Sequence, residues 1–312
     1  MIIIGIDHGN SQVKTAHACF TSGITEHGTA KPPIQTDMIC YAGNYYTISS
    51  KREPYKRDKT TDDKCFIMTL FAIAKELIAT NVDDKTVDIS LAIGLPPEHF
   101  AKQKTVFSRY FYDHGAKWKF EYNGRDFDIN IKEVYVFPQA YAAIATKSSL
   151  LKEYSTTYII DIGGYTVDVL LLSDGKPNLQ CCHSFELGMI PMFGDITSRI
   201  NSEYGQKIGD THIVDVLSGK KSMLSAELKE FIKSKAQAHT MDILDTLREH
   251  GIDLTTNPAI FIGGGSAILK DYILKSKRVV PDFTEFIEDV SANAAGYEAL
   301  AKIAVKRNAD KK

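Results

Sequence analysis

Two aspartates, Asp7 and Asp161, each end a short β-branched run and are each followed within two residues by glycine, an arrangement suited to holding phosphate. The first segment reads Asp7-His8-Gly9-Asn10-Ser11, with Lys14 further on. Glycine lets backbone N–H groups approach phosphate oxygens, Ser11 offers a hydroxyl and Lys14 adds positive charge. Asp7 is a candidate to hold hydrated Mg2+, an ion that keeps several waters and takes only one or two carboxylates. The second segment, Asp161-Ile162-Gly163-Gly164-Tyr165-Thr166-Val167-Asp168, carries two glycines and a threonine directly after its aspartate. Here Asp161 would share the metal waters with Asp7, and the loop through Gly163, Gly164, Tyr165 and Thr166 would wrap the β- and γ-phosphates from the opposite side. Asp168 is read as a supporting or merely structural carboxylate. A third cluster, Gly263-Gly264-Gly265-Ser266, also follows an apolar run, and a flat backbone there would admit a purine and ribose. Taken singly, the first is equally an ordinary tight turn and the third equally a tight turn with a glycine-serine helix cap, while the second is the stronger signal. The pair, and the order of all three, carry the information.

The elements that must position these residues are short. Ile2 to Ile6 and Tyr158 to Ile160 read as strands, and Val13 to Phe20 and Val167 to Leu172 as the strands that follow each turn. The two turns lie about half the chain apart, which predicts a duplicated domain within 312 residues. The division expected is 1–147, completed by a C-terminal helix in 292–312, and 148–291, with inserts at about 30–85 and 205–255. Within the first half the spacing predicts a polar, turn-rich insert over about 30–62, a helix over 64–79 and a strand over 89–93. Strands follow across 106–136, joined by an Asn123-Gly124 hairpin turn, and then a helix from Pro138 to about Lys147. In the second half Gly194-Asp195 reads as the cap of a following helix, 220–250 as a charged helical segment, 259–262 as a strand and about 292–306 as the last helix.

Composition narrows the class. Hydrophobic residues make up 44% and charged residues 24%, as in a folded globular protein, and a net charge of -2 supplies no general attraction to nucleic acid or anionic membrane. Any link to DNA is therefore expected through a partner protein. Five scattered cysteines suit a reducing cytoplasm, and the apolar start has no basic leader and no run long enough to span a membrane. No structural metal is expected from the spacing of histidines and cysteines. His8 reads as a plain solvent-facing histidine, and Cys181-Cys182 as small buried strand residues. Phe107, Tyr110, Phe111 and Trp118, within the basic stretch Lys102 to Lys119, read as core or as a surface between subunits.

In this order the segments resemble the actin-like ATPase superfamily of actin, Hsp70-type chaperones and sugar kinases: a first phosphate loop at 7–14, a first connecting helix at Pro138-Gln139-Ala140-Tyr141-Ala142-Ala143, a second phosphate loop at 161–168, an adenosine motif at 261–266 and a second connecting helix at Ala292-Asn293-Ala294-Ala295-Gly296-Tyr297. Asp161 to Asp168 and Gly94-Leu95-Pro96-Pro97-Glu98-His99-Phe100 are similar to segments of the bacterial filament-forming branch, the ParM/StbA-type plasmid-segregation actins. The resemblance implies an α/β fold of duplicated RNase H-like (actin-like) domains, with small subdomain inserts, flanking a nucleotide cleft. It implies catalytic roles for Asp7, Asp161 and Gln139, the last orienting the attacking water as positioning glutamines do in other nucleotide hydrolases. Gly9, Asn10, Ser11, Lys14, Gly163, Gly164, Tyr165, Thr166, Gly263, Gly264, Gly265 and Ser266 would contact nucleotide, with ATP or GTP as substrate and Mg2+ as cofactor.

The function so implied is ATP hydrolysis that times assembly of a head-to-tail filament, moving plasmid DNA through a DNA-binding adaptor. A small-molecule kinase is the alternative on the same fold, although no additional aspartate is identified as base for an acceptor hydroxyl. A chaperone is disfavoured because no peptide-binding region is read after the last helix, and a cell-division or pilus-assembly relative stands as a further alternative, against which the lack of an amphipathic anchor at either end counts modestly.

Overall fold

The computed structural model describes residues 2–33, 36–144 and 153–309. The chain divides into two compact units, one of residues 1–147 with 290–312 and one of 148–289.

In the first unit, β1 (Ile2–His8) is the hub of the sheet. It pairs antiparallel with β2 (Gln12–Lys14), which pairs in turn with β3 (Cys19–Thr21), forming a meander. On its other side β1 runs parallel to β7 (Thr86–Leu95), which runs parallel to β9 (Arg125–Pro138). A parallel strand covered on both faces tolerates an unbroken apolar run, and Ile4 and Ile6 are accordingly buried. The sheet continues from β9 through β8 (Lys117–Tyr122), β5 (Met38–Tyr41), β6 (Asn44–Ile48) and β4 (Ile24–Glu26). Asn123 and Gly124, both with positive φ, make the two-residue turn between β8 and β9.

Helix α1 spans Lys64–Ala79, the bounds its periodicity predicts, and buries Phe66, Leu70, Ile73 and Leu77 against the sheet. Helix α2, Pro97–Asp113, corrects the reading of strands from residue 106 onward. Phe100, Phe107, Tyr110 and Phe111 repeat with helical spacing, and Pro97 sits in the first turn, where its missing N–H costs nothing. Phe107, Tyr110, Phe111 and Trp118 are all core side chains.

Helix α3 is described over Tyr141–Ile144, and the remainder of the helix expected to Lys147 lies outside the described residues. It packs in the first unit against the last helix, α8 (Ala292–Ala309), and small residues set the distance. A Cβ on Gly5 would stand 2.0 Å from the Ala294 carbonyl oxygen, and one on Gly296 would stand 2.1 Å from that of Ala142. A side chain at Gly5 would drive α8 off the sheet, and one at Gly296 would drive it off α3.

The second unit repeats the hub. The strand β10 (Thr156–Ile162) pairs antiparallel with β11 (Val167–Ser173), which pairs with β12 (Lys176–Phe185). On the other side β10 is parallel to β13 (Ala259–Ile262), itself parallel to β14 (Thr284–Ile287). The order β12-β11-β10-β13-β14 is therefore the order β3-β2-β1-β7-β9 over again. Helices α4 (Met189–Tyr204), α5 (Asp210–Leu217), α6 (Ala226–Glu249) and α7 (Gly263–Lys275) supply most of this unit's core, through residues such as Ile196, Ile213, Ile232 and Leu269. Gly194-Asp195 lies inside α4, not at its start, because Gly188 takes the extended conformation that begins the helix. Cys181 is exposed and Cys182 half-buried, contrary to their expected burial, since β12 is an edge strand. No helix among the described residues is long and apolar enough to cross a membrane.

Candidate functional site

Asp7 is the next-to-last residue of β1 and is 6% exposed, so its carboxylate sits close to where the strand stops and a turn begins. Gly9 makes that turn possible, because a Cβ there would stand 2.6 Å from the Gln12 carbonyl oxygen. Asn10 and Ser11 occupy the turn, the Ser11 carbonyl accepting from the Ser22 amide. Lys14, half-buried on β2, is the cross-strand partner of Asp7. Gln139 reaches the same carboxylate from the end of β9, its Nε2 donating to Asp7 Oδ1 at 3.1 Å. A carboxylate can only accept, so the amide group faces Asp7 and Oε1 is turned the other way. The Gln139 backbone N–H donates to the Leu95 carbonyl, and the next residue, Ala140, holds a φ of 67° while donating to Asn293 Oδ1 at 3.0 Å. In the sequence Asn293 reads only as part of a helix. Its role in fixing the turn beside Gln139 depends on a contact 153 positions away in the chain.

His8 corrects the sequence reading most sharply. It is 2% exposed, with ring centroids 6.1 Å from both Phe107 and Phe111, and its Nε2 lies 2.8 Å from Thr69 Oγ1. The middle position of this Asp-x-Gly turn is still strand, and alternation points it into the core. Burial, and then the nearby Lys59 ammonium, push the imidazole down to about 3, so the ring is neutral.

In the second unit Asp161 and Asp168 are cross-strand partners, 8% and 5% exposed. Asp168 Oδ2 accepts from Thr166 Oγ1 at 2.9 Å and Oδ1 accepts from Ser184 Oγ at 2.5 Å, so Thr166 spends its hydroxyl on holding the loop. Gly163, Gly164 and Tyr165 are pinned from both sides. The Gly163 amide donates to the Thr166 carbonyl, while Gly188, Met189 and Ile190 at the start of α4 donate to the carbonyls of Tyr165, Gly163 and Gly164. The Gly263-Gly264-Gly265 cluster forms the first turn of α7 instead of a free flat loop. Gly263 has a φ of 88° and a Cβ there would meet Asp161 Oδ1 at 2.4 Å, whereas Gly264 faces open space. Ser266 is buried, its hydroxyl donating to the Ile262 carbonyl.

Within the first unit the structure thus gathers Asp7, Lys14 and Gln139, and within the second it gathers Asp161, the 163–166 loop and Gly263. Among the described residues no group of three or more His, Cys, Asp or Glu is arranged to hold a metal. The oxygen chemistry of Asp7 and Asp161 nonetheless suits Mg2+, a hard cation that binds through few carboxylates and much water.

A repeated α/β unit with an aspartate-glycine loop after the hub strand of each copy defines a duplicated α/β fold. Residues 5–141 match the family model of the N-terminal domain of actin-like proteins, and residues 159–275 match that of the C-terminal domain of the archaeal MreB-like actin homologue. The chain belongs to the actin-like family. Among solved structures, it is similar to a ParM from a 15-stranded filament of Clostridium botulinum, at 22% identity over 97% of this chain and 100% of that one, with a TM-score of 0.75. An archaeal actin homologue in complex with ADP matches at 17% identity, 97% and 100% coverage and a TM-score of 0.75. ParM of Bacillus thuringiensis with ATP matches at 12% identity, 98% and 99% coverage and a TM-score of 0.68. No curated protein matches the chain.

Proposed function

We propose that the chain binds ATP with Mg2+ through the loops that follow Asp7 and Asp161, hydrolyses it, and uses hydrolysis to time the assembly and disassembly of a filament of its own copies. The observation that carries this reading is the bond from Gln139 Nε2 to Asp7 Oδ1. It fixes a glutamine beside a candidate metal-holding carboxylate and leaves Oε1 as the end that would accept a hydrogen bond from a water and orient it for attack, without removing its proton. Asp7 and Asp161 would hold Mg2+ through its waters, and the ion would neutralise charge on the phosphate oxygens. Main-chain N–H groups of the 163–166 loop, held rigid by α4 and the Thr166–Asp168 bond, would cradle the phosphates. The small residues at the start of α7 would admit the adenosine. The filament of the Clostridium relative and the ATP complex of the Bacillus relative support polymerisation and the choice of nucleotide. A ParM-type role further suggests plasmid DNA as cargo, engaged through a DNA-binding adaptor, since a net charge of -2 supplies no field of its own for DNA.

Light scattering and negative-stain electron microscopy with Mg-ATP test this. Filaments should form with ATP and dissolve as phosphate is released. Protein that stays monomeric at high concentration with ATP and GTP alike would remove the polymerisation reading.

A further inference from the structure

Among the described residues the second unit leaves two large apolar side chains exposed, Met223 and Phe283. Met223 lies wholly in solvent, in the connection between α5 and α6. That connection is held at both ends. The Lys220 N–H donates to the Asp215 carbonyl in α5, the Leu224 N–H donates to Ser222 Oγ, and Ser225 caps α6 by accepting from the Leu228 N–H at 3.2 Å. Leu224 packs on the core of the unit while Met223, next to it, points away. Lys220 and Lys221 beside it are exposed, Lys220 reaching Asp215 at 3.8 Å, and residues 218–225 contain no acid.

Phe283 has the opposite surroundings. It is 43% exposed in the turn just before β14, its ring meeting that of Tyr154 edge-on at 5.9 Å. Residues 282–289 carry four carboxylates, Asp282, Glu285, Glu288 and Asp289, and no cation, and Lys270 reaches Glu288 from α7. The strand β14 is also the last of its sheet, whereas its counterpart in the repeat, β9, is covered by β8. Among the described residues no strand covers the edge that begins at Phe283. An open sheet edge is a ready place for another chain to add.

The two patches complement each other, an apolar knob beside lysines and an apolar side chain among carboxylates. Protein interfaces enrich Met and aromatic residues at their centres and keep charges at the rim, where opposite signs steer the partners and fix their register. The patches are different surfaces of one unit, so a contact between them is heterologous and repeats from copy to copy. We propose that Met223 of one copy packs on Phe283 at the β14 edge of the next, with Lys220 and Lys221 facing the carboxylates of 282–289. This contact presupposes the filament reading above and supplies one of its joints.

The test is the critical concentration for assembly of the full chain in Mg-ATP, read by light scattering and pelleting. Met223→Ser should raise it at least about tenfold, the scale of a side chain at the centre of an interface. Its circular dichroism and its affinity for ADP should stay those of wild type, since the side chain lies in solvent. Lys221→Glu and Asp282→Lys should each raise the critical concentration several-fold, and both changes in one chain should return it to within about twofold of wild type. Filaments that Met223→Ser leaves unaltered, or a double exchange no better than the single ones, would overturn this contact while the filament reading stands. A Met223→Ser chain that also loses ADP would show the change acting through the nucleotide site, and would overturn it too. Wild-type protein that forms no filament with any nucleotide removes both the contact and the filament reading.

Discussion

Acidification should destabilise the first unit through one residue, His8. The imidazole titrates at 6.5 when exposed and at about 3 in the fold, because it is buried among Phe107 and Phe111 beside Lys59. Above 6.5 both folded and unfolded chains hold it neutral and it makes no difference. Below that value the unfolded chain takes up a proton that the folded one refuses, so stability falls by about 1.4 kcal/mol per pH unit until the folded ring also titrates. Between about pH 7.5 and pH 5 the loss from this group comes to about 2 kcal/mol, a large part of a typical domain's net stability. Trp118, the only tryptophan, is buried in the first unit and reports its unfolding in urea by fluorescence. His8→Gln can still donate toward Thr69 but does not titrate, and it should be flatter with pH by that amount, whatever its stability at neutral pH. If wild type and His8→Gln lose the same stability over this range, His8 is accessible to protons in the folded protein and its placement in the core is wrong.

Four further outcomes follow from other contacts. Gln139→Ala should bind ATP and release phosphate slowly, and Asp161→Ala should release none while staying folded, with phosphate release and circular dichroism as readouts. Gly94→Ala would bring a Cβ to 2.0 Å from the hydroxyl of fully buried Tyr297, and should lower the first unit's stability by about 1–3 kcal/mol in the same fluorescence assay. His17 binds the buried Glu76 carboxylate with both its main-chain N–H and its ring, and the ring bond raises its titration point. Its stabilisation is complete below about pH 6.5 and disappears as pH rises through the folded value, so His17→Ala should matter at pH 6 and little at pH 9.

What could be read in the sequence tracks local chemistry. The bounds of α1, and the placing of Asp7 and Asp161 one residue before the ends of β1 and β10, follow from periodicity and from glycine placement, both of which act over a few residues. The failures depend on distant neighbours. His8 looked exposed because it lies in a polar turn, yet Thr69 and two phenylalanines far along the chain make it core. Residues 106–113 looked extended because polar residues between the aromatics masked the helical repeat that begins at Phe100. Lys59 carries no sequence signal in its turn-rich segment, and its bond to the His8 carbonyl brings it to the first glycine turn.

The duplication is more exact in register than in chemistry. Asp7 faces Lys14 across β1 and β2, and Asp161 faces Asp168 across β10 and β11, at equivalent positions of the repeated sheet. One copy therefore sets a cation opposite its loop aspartate, where the other sets a second carboxylate. A second buried carboxylate so close would repel the first unless its charge were met, and the hydroxyls of Thr166 and Ser184 do this for Asp168. Those bonds also tie the 163–166 loop to β12, while Gly188 brings α4 against its carbonyls. The second loop is thus rigid in its own right, whereas the first is tied to its surroundings by Lys59 on the His8 carbonyl and Gln139 on Asp7. Both ties are polar side-chain bonds that a phosphate or its water can replace, so of the two copies the first is the one built to respond to what is bound.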